Sequence, residues 1–442
     1  MPGFSHYRRS LTSSRFVRNV GLLAVGTVVA KSVGVVSAPL LTRFYAPEDF
    51  GALAGVLAIG IVLSALGTLQ FYQAIPLPPE LREAVALKNL SLLSTAVVTT
   101  GVALLVFTCG DRALEMSSLQ ALSGYFFLVP IVLFFLCVHD VLNWWAIRNK
   151  AFKKLSCASF VQGLSASCFQ LALGATGIGA AGLIGGDILG RFASTLPLVE
   201  LRSRNLVVDW RCSMRDIVSA AAKYWRFAVL ITPSNVLNRL TNRLPVLVLL
   251  TFYGPAVAGW FALSDLVLRT PISLLGASIG KAYLAEVAER RRTGKGSIRT
   301  LLQKTTLTLA IIGLPPLLLI LFAGHHVFRF AFGADWIWAG HFARLLAIGM
   351  YVKLIASTVS QTLHVLQKQH VQFFWDLASH AAIVGAFCTA IVFGWSFSGA
   401  VAVYSASLTA SYLAYLLLIW RSAIAGDNRA DEKVEIQSLK AA

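Results

Sequence analysis

Twelve apolar runs follow one another along this chain of 442 residues, and little else separates them. They cover 17–41, 50–75, 90–107, 119–147, 155–173, 178–199, 225–253, 257–283, 301–322, 342–363, 373–393 and 397–420. Each is close to the ~20 residues an α-helix needs to cross the ~30 Å hydrocarbon core of a bilayer. In lipid the backbone finds no water to bond, and a helix satisfies every N–H and C=O within its own segment. The chain is therefore read as an all-α integral membrane protein of about twelve spans. The runs at 119–147 and 225–253 are long enough to tilt or break. Only 13% of the residues are charged, about half the share that keeps a soluble domain wet.

A formal net charge of +18 on a soluble chain would suggest nucleic acid. Here the cations cluster in short segments between the apolar runs, which excludes that class and reports topology instead. With the N-terminus inside, and with Arg18, Arg226 and Lys304 at the inner edges of their runs counted to the adjoining segments, cytoplasmic segments hold 27 of the 38 Lys and Arg, outer loops hold 3, and 8 fall within spans. Both termini are then cytoplasmic. Arg8, Arg9, Arg15 and Arg18 resemble the start of a signal peptide, but run 17–41 exceeds a signal's apolar core and reads as an uncleaved span. The expected plan is a cytoplasmic segment 1–16, an N-lobe of six spans over 17–199, a linker 200–224, a C-lobe of six spans over 225–420, and a cytoplasmic tail 421–442. In the linker, Val207, Trp210, Met214, Ile217 and Ala221 recur at helical spacing with Arg204, Arg211 and Arg215 between them. That is the pattern of a helix lying on the inner leaflet. Six cysteines without C-x-x-C spacing give no metal centre and no disulfide framework.

Six spans followed by six invite a search for duplication. Tyr45, Pro47, Gly51 and Ala54 recur as Tyr253, Pro255, Gly259 and Ala262, a constant offset of 208 in the pattern Y-x-P-x-x-x-G-x-x-A. Two lobes related by a pseudo-two-fold axis along the membrane normal are the expected result. The same offset maps Lys31, midway along the first span, onto Arg239, midway along the seventh. Those two cations would face each other across the axis.

Charges inside spans are the most informative residues. The cations are Lys31, Arg191, Arg239, Arg243, Arg269, Lys281, Arg344 and Lys353; the acids are Asp140, Asp187, Asp265 and Asp376. At about 2.5–3.5 kcal/mol each at a helix centre, twelve lipid-facing charges would cost roughly 30–40 kcal/mol. Most must face a protein-lined, wetted interior. Asp187 with Arg191 and Asp265 with Arg269 stand at i,i+4, a favourable same-face pairing, and serve either as structural pairs or as elements that couple transport to an ion. Lys281 and Arg344 lie near helix ends and can snorkel. Asp140 and Asp376 sit towards the inner ends of their spans. On the seventh span Asn235, Asn238, Arg239, Asn242 and Arg243 share an arc of about 140° at 100° per residue, bracketed by Pro233 and Pro245, which can interrupt the helix. On the tenth, Lys353, Ser357, Ser360, Gln361 and His364 form one polar stripe. Neighbouring buried cations call for an anion, with an interhelical hydrogen-bond network as the alternative. Gln162 and Gln170 share a face of the fifth span, as helix-packing glue or as contacts to sugar hydroxyls. Trp144, Trp145, Trp225, Trp336, Trp338 and Trp420 fit an interfacial belt.

The stretch Leu41-Thr42-Arg43-Phe44-Tyr45-Ala46-Pro47-Glu48-Asp49-Phe50-Gly51, followed by Gln73-Ala74-Ile75-Pro76-Leu77-Pro78, resembles the first helix pair of polysaccharide-transporter flippases of the Wzx type. Asn143-Trp144-Trp145-Ala146-Ile147-Arg148, Gly182-Leu183-Ile184-Gly185-Gly186, Tyr253-Gly254-Pro255 and Phe332-Gly333-Ala334-Asp335-Trp336 fit the same family, over about 15–420. Those flippases belong to the multidrug/oligosaccharidyl-lipid/polysaccharide (MOP) exporter superfamily. The resemblance implies two six-helix lobes in a V, alternating access, and an undecaprenyl-diphosphate-linked oligosaccharide as cargo. It also implies the inner membrane of a bacterium making O-antigen, capsule or exopolysaccharide. Twelve spans rather than fourteen separate the chain from the peptidoglycan-precursor branch. No site residue comes from the resemblance.

The expected mechanism uses Lys31, Arg239, Arg243, Arg269 and Lys353, with Asn235 and Asn242, as a cationic cavity for the diphosphate, which Arg grips in bidentate fashion and Lys as a point charge. Asp187, Arg191 and Asp265 are the candidates for coupling to H⁺ or Na⁺. No catalytic residue, metal or cofactor is expected, so the chain is not read as an enzyme. Expected partners are membrane lipid, the anionic lipid-linked oligosaccharide, and a polysaccharide polymerase with its chain-length machinery. Alternatives are a multidrug or metabolite antiporter of the same architecture, or a membrane sugar polymerase or ligase.

Overall fold

The computed structural model describes residues 26, 28, 30, 32–117, 119–199, 212–293 and 296–441. Among them there are helices and no strand. The first run is represented by α1 (Ser32–Leu41). Then come α2 (Pro47–Gly67), α3 (Leu81–Ser117), α4 (Val129–Arg148), α5 (Phe152–Gly174), α6 (Ala180–Thr195) and the linker helix α7 (Met214–Lys223). The second set is α8 (Thr232–Tyr253), α9 (Pro255–Thr293), α10 (Ile298–Phe332), α11 (Ile337–Val359) with the short α12 (Gln361–Val365), α13 (Gln369–Val392) and α14 (Phe397–Ala441). Eight helices among the described residues are long and apolar enough to cross a membrane; α1, α5, α6 and α8 stand in the four remaining runs. By packing, the chain forms two compact units, Met1–Ala262 and Leu263–Ala442. Most of the expected linker, Val207 and Trp210 included, lies outside the described residues.

The repeated Y-x-P motif does the same work twice. Pro47 opens α2 and Pro255 opens α9, where a missing N–H costs nothing and the fixed φ is already helical. The two starts then meet. A Cβ at Gly51 would stand 1.9 Å from the Pro255 carbonyl oxygen, and one at Gly259 would stand 1.8 Å from that of Pro47. The contact is reciprocal, as a local two-fold relation requires, and only glycine admits it. Both positions lie in the first unit. Small residues also seat α6 on α5: a Cβ at Gly186 would meet Gln170 Cγ at 2.5 Å, and one at Gly190 would meet Ala166 Cβ at 2.5 Å. Close backbone approach of this kind drives helix association where lipid offers no hydrophobic gain.

Both long runs change geometry near their starts. The fourth opens with 3-10 turns at Gln120–Leu122 and Phe126–Leu128 before α4, whose first turn contains Pro130. The seventh opens with a π-helical turn at Phe227–Ile231, and Pro233 lies in the first turn of α8. Pro245 was expected to help interrupt this face, but α8 runs through it unbroken. Neighbouring helices tolerate a proline in a span more readily than water does. Two other expectations change. Trp336 is 1% exposed, so it packs inside rather than joining an interfacial belt. Arg344 does not only snorkel; its Nε donates to the Leu321 carbonyl at 2.8 Å.

The linker helix α7 is capped by Ser213, which accepts from the Arg215 N–H at 3.3 Å. Ion pairs Arg82–Asp216 at 3.0 Å and Lys223–Glu83 at 2.5 Å tie it to the start of α3. Ile217 and Ala221 of the expected stripe turn onto the protein core, while Met214 stays exposed. In the second unit the last helix braces the start of α10. Asp427 accepts from Ser297 Oγ at 2.7 Å, the Ile298 N–H at 3.0 Å and the Arg299 N–H at 2.9 Å. These N–H groups have no partner within their own helix. Asp427→Ala should therefore lower stability by about 1–2 kcal/mol, read as a reduced Tm of the purified protein in detergent.

Candidate functional site

In the first unit the seventh run delivers its polar face to a defect at the end of α2. Leu69 and Gln70 take positive φ values of 47° and 56°, a region that costs a non-glycine residue about 1–3 kcal/mol and persists only where the surroundings over-determine it. Gln70 is the over-determined residue. Its Nε2 donates to the Ala65 carbonyl at 2.8 Å, and its Oε1 accepts from Gln73 Nε2 at 2.7 Å and from Asn235 Nδ2 at 3.0 Å. One turn further along α8, Arg239 donates to Ser64 Oγ, to the Ile61 carbonyl at 3.3 Å and to Tyr72 Oη at 3.3 Å. Its guanidinium also lies 3.6 Å from the Asp140 carboxylate of α4. The Tyr72 ring stands edge-on to Trp144 at 5.9 Å. Three elements, α2, the turn at Tyr72 and α4, thus converge on one guanidinium of α8.

Other expected residues divide between this network and its rim. Asn235 belongs to the network. Asn242 is exposed, and its amide donates back to the Asn238 carbonyl at 2.8 Å and to Asn238 Oδ1 at 2.8 Å, so it caps its own helix face. Arg243 is half-buried on the same helix. Lys31, the expected counterpart of Arg239, lies outside the described residues. Arg191 Nε meets Asp187 Oδ2 at 2.6 Å. Gln170 is buried and donates to the Leu183 carbonyl at 3.1 Å, so it bridges α5 and α6 instead of presenting its amide to a ligand.

In the second unit Asp265 and Arg269 of α9 pair at 2.8 Å. Lys353 of α11 lies over the Tyr412 ring at 5.6 Å from its centroid, within reach of a cation–π attraction. Arg269 and Asp265 act electrostatically on Lys353, and Tyr404 and Tyr412 act on Arg269. The three residues picked from sequence therefore form one cluster, faced by tyrosines of α14. Trp375 of α13 backs it, stacked on Tyr415 at 3.9 Å and held by a bond from its Nε1 to the Ser411 carbonyl at 2.8 Å. Ser357 and Ser360 of the expected polar stripe donate to backbone carbonyls of their own turn.

Sequence reasoning missed the receiving side of both sites. Ser64, Gln70, Tyr72 and Tyr412 carried no signal, and Asp140 was read only as an acid near the inner end of a span. Lys88 was counted as a loop cation, yet it is 1% exposed and its ammonium stands 4.6 Å from the Trp145 ring centroid.

The chain folds as a succession of apolar helices in two compact units. Its fold matches that of the lipid II flippase MurJ in its inward closed conformation, with a TM-score of 0.70 and 12% identity over 95% of this chain and 92% of that one. An inward-facing multidrug resistance transporter of the MATE family matches at 0.59, with 14% identity over 92% and 95% of the two chains. A MOP superfamily transporter from Pyrococcus furiosus matches at 0.58, with 14% identity over 92% and 96%. A search of curated protein sequences finds no significant match. Residues 40–341 match the family described as "Polysaccharide biosynthesis protein", and the chain belongs to that family.

Proposed function

We propose that the chain flips an undecaprenyl-diphosphate-linked oligosaccharide across a bacterial inner membrane, with both termini in the cytoplasm, to supply O-antigen, capsule or exopolysaccharide synthesis. The observation that carries this reading is the cluster of Arg269, Lys353 and Asp265. Arg269 pairs with Asp265 and Lys353 lies within electrostatic reach of both, which leaves a positive balance suited to a diphosphate. Arg239 and Arg243, with Asn235 and Asn242 on the same helix, supply further donors in the first unit, and Lys31 is proposed to join them. The polyprenyl tail stays in lipid while the polar head follows the cationic residues by alternating access. H⁺ or Na⁺ drives the cycle, with Asp187–Arg191 and Asp265 as coupling elements, and a polymerase with its chain-length machinery takes the flipped unit. No bond of the cargo is made or broken by the chain itself.

The test uses the full chain in vesicles with a fluorescent undecaprenyl-diphosphate-linked saccharide. Each charge-assisted bond to phosphate is worth about 1.5–3 kcal/mol, so Arg269→Gln with Lys353→Gln should slow translocation by about tenfold or more. A double variant as fast as wild type refutes the proposed role of this cluster. The likeness to a multidrug transporter supports a second reading, export of small molecules. Cationic drugs would favour an acid-lined site, so protection of cells against cationic dyes would support that reading over the first.

A further inference from the structure

The first unit contains a histidine that neither ion pair accounts for. His139 lies midway along α4, half-buried, and both ring nitrogens are engaged. Nδ1 stands 3.0 Å from Ser194 Oγ on α6, and Nε2 stands 2.9 Å from Asn143 Nδ2 one turn along α4. The single hydroxyl proton of Ser194 is already committed to the Arg191 carbonyl at 2.7 Å. Nδ1 must therefore carry the ring proton and donate it to Ser194. That leaves Nε2 with a lone pair, which accepts from the Asn143 amide.

We propose that His139 is a reversible proton-binding site at the centre of the first unit. A proton arriving from water adds to the Nε2 lone pair and forms one N–H bond; nothing else is made or broken. Asn143 then turns its amide by half a rotation and presents Oδ1 as acceptor, while Nδ1–H keeps its bond to Ser194. Both forms of the ring are thus fully bonded with no backbone movement. Among the described residues the Asn143 side chain has no other hydrogen-bond partner to hold it in one orientation.

Every helix packed on α4 bears on the outcome. On α6, Arg191 acts on the ring directly and is itself paired with Asp187. On α4, the next residue is Asp140, paired with Arg239 of α8, and Cys137 lies half a turn away. From α2 comes Ser64, which bonds Arg239. Lys88 of α3 is seated over Trp145, and α5 carries Lys153 and Lys154 only in its first turn. A positive ring opposes the Arg191 guanidinium that acts on it and stands next along α4 to the carboxylate of Asp140. Proton binding would loosen Asp187–Arg191 and Asp140–Arg239 together, which is how a proton can bias the movement of α6 and α8. This consequence rests on the transport reading above; the proton site itself does not.

Two measurements keep them apart. Full-length protein with ¹⁵N-labelled histidine is placed in lipid vesicles, and the signal lost in His139→Gln is followed from about pH 4 to 9, the range in which imidazoles titrate. That signal should be neutral with Nδ1 protonated at high pH and doubly protonated at low pH. Asn143→Leu, which removes the acceptor for the new N–H, should move the midpoint down by about one pH unit or more. A signal fixed in one form, or a midpoint indifferent to Asn143, overturns the proposal. The second measurement follows NBD-labelled undecaprenyl diphosphate under a gradient of one pH unit. Wild type should approach about tenfold accumulation for one proton per lipid, and His139→Gln should stay near equality. A His139→Gln protein with the wild-type response overturns the coupling of His139 to transport but not the flippase reading. If wild type moves no probe while the His139 signal titrates as expected, the flippase reading falls and the proton site stands.

Discussion

Valine in place of Gly51 is expected to remove folded protein from the membrane. Its Cβ would sit 1.9 Å from the Pro255 carbonyl oxygen and 2.7 Å from the carbonyl carbon. The obstacle is backbone, so no rotamer change relieves it and the starts of α2 and α9 must separate. Ordinary overpacking costs about 1–3 kcal/mol, whereas a clash this deep displaces two helices against a total stability of about 5–15 kcal/mol. Gly259→Val should fail in the same way, because it meets Pro47 across the same contact. Gly101→Val is the control, with open space around its Cβ. Size-exclusion profiles of fluorescent fusions in detergent read the result. A sharp wild-type peak for both Gly51→Val and Gly259→Val would mean that the two motifs do not touch.

Loss of Asp140 or of Arg239 alone should cost nearly as much as any single change in the first unit, and loss of both should cost less than the sum. The side chains are 24% and 31% exposed for Arg239 and Asp140 respectively, so bulk water screens neither fully. Asp140→Leu leaves a guanidinium at membrane depth without its counter-charge, at about 2.5–3.5 kcal/mol. Arg239→Leu strands the carboxylate instead. The double variant strands nothing, and the coupling should exceed about 1 kcal/mol. Denaturant unfolding of the four proteins closes the cycle. Strictly additive penalties would show that the two groups do not interact. Translocation by the folded double variant then separates the roles: it should be lost if Arg239 also meets the cargo, and kept if the pair only holds α8 against α4.

What could be read in the sequence was local. The spans follow from runs of apolar residues, and the two i,i+4 pairs, Asp187–Arg191 and Asp265–Arg269, follow from helical spacing alone. The Y-x-P-x-x-x-G repeat marked two helix starts, although nothing in it said that they touch. Partners on other spans left no trace. Asp140 and Arg239 stand on helices far apart in the chain, and no periodicity links them. The left-handed turn at Leu69 and Gln70 was hidden because glycine, the usual signal for positive φ, is absent there. Lys88 was misplaced for a different reason. An apolar window begins near 90, after the charged start of the helix, whereas α3 begins at Leu81 and carries Lys88 about two turns inside.

The carboxylate of Asp427 gives the order of synthesis a structural meaning. It is the last-made helix that finishes the amino end of α10, an element threaded into the bilayer well over a hundred residues earlier. Until the ribosome has delivered that acid, the first N–H groups of α10 must be served by water or by lipid headgroups. The second unit therefore matures at the end of translation, and a nascent chain halted before position 427 would hold α10 inserted but unfinished at its amino end.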